Sequence, residues 1–340
     1  VPCSARLSAP MDSLTQIALG ACVAAACVPP TQRRKALVVG AMLGTLPDLD
    51  VFVDYGGAVE NFTMHRGFSH SLFVLAPLAV AIWLLLRWWW TPVREAPRAW
   101  CVAILLTLVT HPLLDAHTAY GTQLWWPLDP PPASWATLFI IDPLYTLPLL
   151  IAGLVVLAAP SSRWSGRMLT AGLALSTAYL GWSWAARDLV MRNARETLAS
   201  LDREDARVFL TPTPLNTLLW RVVVLDDDGY LEGLDSVVAD DGPIDFMLVP
   251  WDRAAIDAQE GLPSAERLTW FANGFVSTAI VGDELVMSDL RMGQEPDYVF
   301  RHAIATRGNP HWHPIESRRL PATMNMDRVR GVWDRIWNEP

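Results

Sequence analysis

In the stretch Thr110–Gly121, THPLLDAHTAYG, His111 and Asp115 stand at i and i+4, and His117 follows. On a helix the first two share one face, one turn apart. Imidazole and carboxylate so paired are ordinary ligands of first-row metals, zinc being the commonest for that mixture. Three further clusters carry the same residue types. Pro47-Asp48-Leu49-Asp50 offers two carboxylates at i, i+2, a spacing that suits joint binding from a turn better than from a helix. His65-Arg66-Gly67-Phe68-Ser69-His70 offers two imidazoles at i, i+5 with Arg66 between them. A guanidinium there matches the geometry of a bound phosphate or other anion. Asp142, directly before Pro143, is the fourth.

Each cluster also has a plainer use. Asp48 and Asp50 could end a helix in water, and His65 and Arg66 could belong to a solvated loop. His117 could close the helix by bonding a carbonyl. Asp142 before a proline suits a helix N-cap. His70 is different: it precedes a long apolar run and needs a partner there. Pro112 has no backbone donor and is expected to kink or restart the helix after His111. A restart with Pro112 at the first position keeps Asp115 on the His111 face. His311-Trp312-His313 has two imidazoles between prolines and reads as surface. Cys3, Cys22, Cys27 and Cys101 form no CxxC pair and read as small core residues.

The elements that would position these groups divide the chain in two. Up to Ala186 there are 10 Lys+Arg and 9 Asp+Glu, a net of +1; from Arg187 there are 16 and 26, a net of −10. The first part is apolar throughout, and the 52% hydrophobic content and 17 Trp of the whole chain are high for a soluble protein. Six apolar segments are expected to cross a membrane: Leu14–Val28, Ala36–Leu46, Ser69–Trp90, Trp100–Leu114, Leu138–Ala159 and Met168–Ala186. The first two are short for a span of about 20 residues. Arg33, Arg34, Lys35, Arg87, Arg94, Arg98, Arg163 and Arg167 then fall at turns on one face, cytoplasmic by the positive-inside rule. All the candidate ligands fall on the opposite face. Val1–Pro10 is expected to be a non-native extension ahead of a start at Met11, followed by a membrane domain over 11–190.

Residues 191–340 are expected to form a soluble acidic α+β domain with an antiparallel sheet, outside the membrane. Leu218–Leu225 and Tyr230–Val238 flank the turn Asp226–Gly229, and Phe275–Val281 and Leu285–Asp289 flank Gly282-Asp283, both hairpin patterns. Ala254–Phe271 is expected to be helical with a break at Gly261–Pro263, and Val329–Trp337 to be a closing helix. The acidic balance argues against a nucleic-acid partner.

MDSLTQIALGA at Met11, PDLD at Pro47, HRGFSHSL at His65, HPLLDAHTAYGTQLWWP at His111 and IDPLYT at Ile141 resemble, in order and spacing, the signature blocks of the YdjM/YfhP-like family. The LLWR and SDLRMG segments resemble the soluble part of many members. The family consists of bacterial inner-membrane proteins described as metal-dependent hydrolases, with a suspected distant kinship to zinc-dependent phospholipases C. The resemblance marks Asp48, His65, His70, His111, Asp115 and Asp142 as candidate metal-site residues, with Asp50 and His117 inside the matching blocks. It implies residence in the bacterial inner membrane.

The expected function is a membrane-bound hydrolase holding one or two divalent ions, most simply zinc. Arg66 would orient an anionic group and Asp50 would serve as base. The placement suggests an ester or phosphodiester in a lipid headgroup or envelope precursor, with membrane lipids as partners. From other classes, the same residues could form a closed structural or ion-carrying site, or the acidic domain could be a membrane-anchored partner-binding module.

Overall fold

The computed structural model describes residues 12–308, 311–322 and 326–339; the expected extension at Val1–Pro10 lies outside them. Two small-residue helices open the chain, α1 (Asp12–Cys27) and α2 (Arg33–Thr45). They cross backbone to backbone. A Cβ on Gly20 would lie 2.4 Å from the Gly40 carbonyl oxygen, and one on Gly40 2.2 Å from the Gly20 oxygen. Only glycine permits that approach, the device by which small residues let helix backbones meet. A short helix α3 (Ala58–Met64) follows, then α4 (Leu72–Trp89), α5 (Thr91–Glu95) and α6 (Pro97–Asp115). After a Trp- and Pro-rich loop, α7 (Pro143–Ala158) and α8 (Arg163–Ser200) complete the bundle. Its core includes Cys22, Ala25, Trp100, Leu149 and Leu169.

Among the described residues two helices, α4 and α6, are long and apolar enough to cross a membrane, not about six. The apolar α1 and α7 have only 16 residues each, and α2 has 13 with three basic residues in its first turn. Proline is the physical reason for the first two. Pro29-Pro30 follows the end of α1 and Pro47 the end of α2, so the apolar runs stop short of the roughly 20 residues a crossing takes. α8 has length in excess, 38 residues, but its later turns are charged. Pro112 lies inside α6 and does not end it.

The C-terminal part holds two four-stranded antiparallel sheets instead of one. The first orders β1 (Arg207–Pro212), β2 (Leu219–Leu225), β3 (Gly229–Ser236) and β4 (Met247–Pro250) in sequence. Helices α9 (Arg253–Gln259) and α10 (Pro263–Phe271) follow, broken where Gly261 takes a positive φ. β5 (Val276–Val281) and β6 (Glu284–Asp289) form a hairpin. After the small pair β7 (Gly293–Gln294) and β8 (Asp297–Tyr298), β9 (Arg301–Thr306) and β10 (His313–Arg319) complete a sheet of order β10-β9-β6-β5. α11 (Met326–Trp337) closes the chain.

These sheets pack on the helical part at two places. Ala186, Val190, Ala194 and Leu198, on the later turns of α8, lie against Trp220, Val222 and Val224 of the first sheet. α3 lends Val59 and Phe62 to the core of the second, with Phe271, Leu285, Met287 and Ile304. Hydrogen bonds hold it there, among them Val59 N–H donating to Ser317 Oγ at 2.8 Å and Arg267 Nε to Thr63 Oγ1 at 2.7 Å. The segment leading to His65 is therefore fixed by the C-terminal part of the chain.

Candidate metal centre

Three local structures converge at one end of the bundle. A 3-10 turn, Pro47–Phe52, begins at the proline after α2 and carries Asp48 and Asp50. A second, Phe68–His70, ends in His70. The last turn of α6 carries His111 and Asp115, one turn apart as their spacing predicts. The tips of Asp48, His70, His111 and Asp115 form the cluster that could hold a metal ion among the described residues.

The geometry is tight. His70 Nε2 and His111 Nε2 lie 3.1 Å apart. Asp48 Oδ1 is 3.4 Å from the first and 3.3 Å from the second; Asp115 Oδ2 is 3.1 and 3.3 Å away. A tetrahedral centre with bonds of about 2.0–2.1 Å separates its ligands by about 3.3–3.4 Å, so the donor set fits a small divalent cation.

The protons identify what these atoms are. His111 Nδ1 is 2.6 Å from the Gly44 carbonyl oxygen, which only accepts, so Nδ1 carries the hydrogen. Ser69 Oγ donates its single proton to Asp50 Oδ2 at 2.6 Å and therefore accepts from His70 Nδ1 at 2.9 Å. With Nδ1 the proton-bearing position in each, a neutral ring turns its Nε2 lone pair toward the other ring and toward two carboxylate oxygens. Asp115 Oδ2, which faces both rings, is buried without a hydrogen-bond donor. Four acceptors facing one another call for a cation between them. Carbonyl and carboxylate groups behind ligating imidazoles fix the tautomer in this way at metal sites generally.

A further layer aligns Asp115. Gln16 Nε2, from α1, donates to Asp115 Oδ1 at 2.9 Å and to the His111 carbonyl at 3.2 Å. Arg66 Nη2 lies 3.4 Å from the same Oδ1, which leaves Oδ2 to face the imidazoles. Arg66 is buried; its Nη1 donates to Thr118 Oγ1 at 3.1 Å, and its guanidinium carbon stands 5.1 Å from the centre of the Tyr120 ring. Its backbone is left-handed, φ 60°, a conformation uncommon for a side-chain-bearing residue. That turn aims its N–H at Asp50 Oδ2, 2.9 Å away.

The remaining candidates stand outside the four. His65 Nδ1 lies 2.8 Å from Asp50 Oδ1, and the His65 side chain is 23% exposed. Burial pushes the Asp50 carboxyl up, but the hydrogen bond to His65 and that ring's charge outweigh it, so Asp50 sits below its ordinary value. Asp142 caps α7, accepting from Leu144 N–H at 2.9 Å and Tyr145 N–H at 3.4 Å, with Tyr179 Oη donating at 2.8 Å. Burial raises its carboxyl above the usual value. His117 bonds the Leu113 carbonyl at 2.8 Å and packs on Trp135. Sequence reasoning did not single out Gln16, Gly44, Ser69 or Thr118. For Gln16 a signal existed: a lone amide in an apolar helix.

A cation-sized cluster of His and Asp at the end of an apolar helix bundle defines a membrane-type protein with the means to hold a metal. Its family follows from the sequence match. Residues 11–190, more than half of the chain, match the YdjM inner membrane protein family, and the chain belongs to it. Gln16 and the four clustered side chains all lie in the matched stretch. No curated protein and no solved structure matches the chain.

Proposed function

We propose that this protein is a metal-dependent hydrolase of the bacterial inner membrane, acting on an ester or phosphodiester at the outer membrane–water interface. The observation that carries the reading is the convergence of two imidazole Nε2 atoms and two carboxylate oxygens within 3.1–3.4 Å. Asp48, His70, His111 and Asp115 would hold the ion, zinc being the simplest choice for this donor set. A divalent cation there would supply Lewis acidity and bring the pKa of a coordinated water to about 7.

The chain's own residues supply the rest. Asp48, with 19% of its side chain exposed, is the ligand on the accessible edge. His65 stands beside the cluster with Nδ1 held by Asp50, which directs Nε2 to take or return a proton. Asp50 is therefore a positioning residue and His65 the proton carrier. Arg66, buried against Asp115 and Tyr120, aligns a ligand and does not reach out to an anionic substrate.

Elemental analysis of detergent-purified protein tests the site. Wild type should carry close to one equivalent of metal, and His111→Ala and Asp115→Ala should lose it. Full metal retention in both variants would sink the proposal.

One observation favours a second reading. Four protein ligands are the mark of a closed, structural metal site, whereas catalytic zinc usually keeps three and one open position. Replacement by cobalt(II) separates the two. A spectrum that shifts on adding azide or another small anion indicates an open position and supports hydrolysis. A four-coordinate spectrum indifferent to added anions supports the closed site.

A further inference from the structure

The turn that carries Asp48 and Asp50 presents its other residues outward. Leu49 and Val51 are about half exposed, and Phe52 is 82% exposed. Asp48 points to the centre and Asp50 to His65 and Ser69, while Leu49 and Phe52, three residues apart and so on one face of a 3-10 turn, are turned outward. A contiguous apolar edge of this kind marks a contact surface and not a solvated loop. The C-terminal sheets do not cover it; they pack on α3, further along the chain.

The edge is continuous with the flank of a candidate membrane span. Ser69 Oγ bonds Asp50, so the turn holding Phe68 and His70 sits directly against the Asp48 turn. The Phe68 ring lies 6.3 Å from that of Trp126, and Phe73, in the first turn of α4, 6.0 Å from Trp125. All four rings are exposed. Along α4 most of the helix surface is likewise uncovered by the rest of the protein. Tryptophan and phenylalanine at the end of an apolar helix are the composition of a membrane–water interface.

We infer that the turn Pro47–Phe52 seats its apolar edge in the headgroup–acyl boundary of a bilayer, so that the accessible edge of the metal centre at Asp48 meets lipid. The inference rests on the membrane placement of α4 and not on hydrolysis. The ligand that reaches Asp48 along this edge arrives from the bilayer plane and is itself an amphiphile.

A nitroxide at Phe52→Cys, with the native cysteines replaced, tests this in nanodiscs of phosphatidylethanolamine and phosphatidylglycerol. Collision with oxygen, which concentrates in lipid, is compared with collision with a water-soluble nickel chelate. Asp283→Cys, in the exposed turn between β5 and β6, is the aqueous control. The oxygen-to-nickel ratio at position 52 should exceed that at 283 several-fold. Equal ratios would overturn the inference, and so would low access to both reagents, which indicates cover by protein. Unsubstituted protein provides an independent measurement. A photoactivated carbene carried on a lipid chain should insert into the peptide containing residues 47–53, and its failure to do so overturns the inference as well.

Discussion

Gln16 is a neutral side chain that touches both residues α6 gives to the centre. Its amide holds Asp115 by one oxygen and the His111 carbonyl by the same nitrogen. Gln16→Leu keeps the bulk and removes both bonds. Metal affinity should fall about 10–100-fold, the usual effect of losing a partner behind a ligand; chelator competition reads the change and circular dichroism checks the helices. The contrast with the four acids and imidazoles shows what was legible at this scale. Asp48, His70, His111 and Asp115 stand out in sequence because ionisable groups at the ends of apolar runs demand an explanation. Gln16 gives a fainter signal, a lone amide in an apolar helix, whose partner the sequence does not name. The types in the Asp50–His65 pair were legible as well. Their pairing with each other, and not with the four, depends on the left-handed turn at Arg66, which no residue type announces.

Helix crossing sets the position of the Gly44 carbonyl, and with it the tautomer of His111. Gly40→Leu would place a Cβ 2.2 Å from the Gly20 backbone oxygen and force α1 from α2. Overpacking of this kind costs about 1–3 kcal/mol. The centre should suffer with the helices, since Gln16 rides on α1 and Gly44 on α2. Thermal midpoint and bound metal should therefore fall together, followed by size-exclusion after heating and by elemental analysis. Gly181→Ala, in open space on α8, should leave bound metal unchanged and should not lower the midpoint, since alanine favours the helix over glycine. The hairpins of the C-terminal part were legible because Asp226–Gly229 and Gly282-Asp283 are turn residues between apolar runs. The number of spans was not. Alanine and glycine count as apolar whether a helix is 13 or 20 residues long, and the prolines that end α1 and α2 decide the length.

At the scale of the molecule, the two parts meet where α3 enters the second sheet. The seven residues of α3 are too few to show a helical period, so the sequence offers only a loop there. His302 lies in that contact, its ring 5.1 Å from Phe62. Burial, reinforced by the Arg319 charge, pushes its pKa down to about 4. The sign follows directly: below about 6.5 a released His302 binds a proton that the docked one refuses, so docking is fully present above that pH. It weakens as pH falls toward 4, by at most about 3 kcal/mol. Hydrogen exchange of residues 58–64, corrected for its intrinsic pH dependence, should rise across this window, and His302→Leu should flatten the rise. α8 bears on the same question from the other side. Its 38 residues span about 57 Å with no proline, one rod gripped by α7 at one end and by the first sheet at the other. A carrier that opens alternately to two compartments needs a joint about which its halves can rock, and α8 offers no proline joint between its two grips.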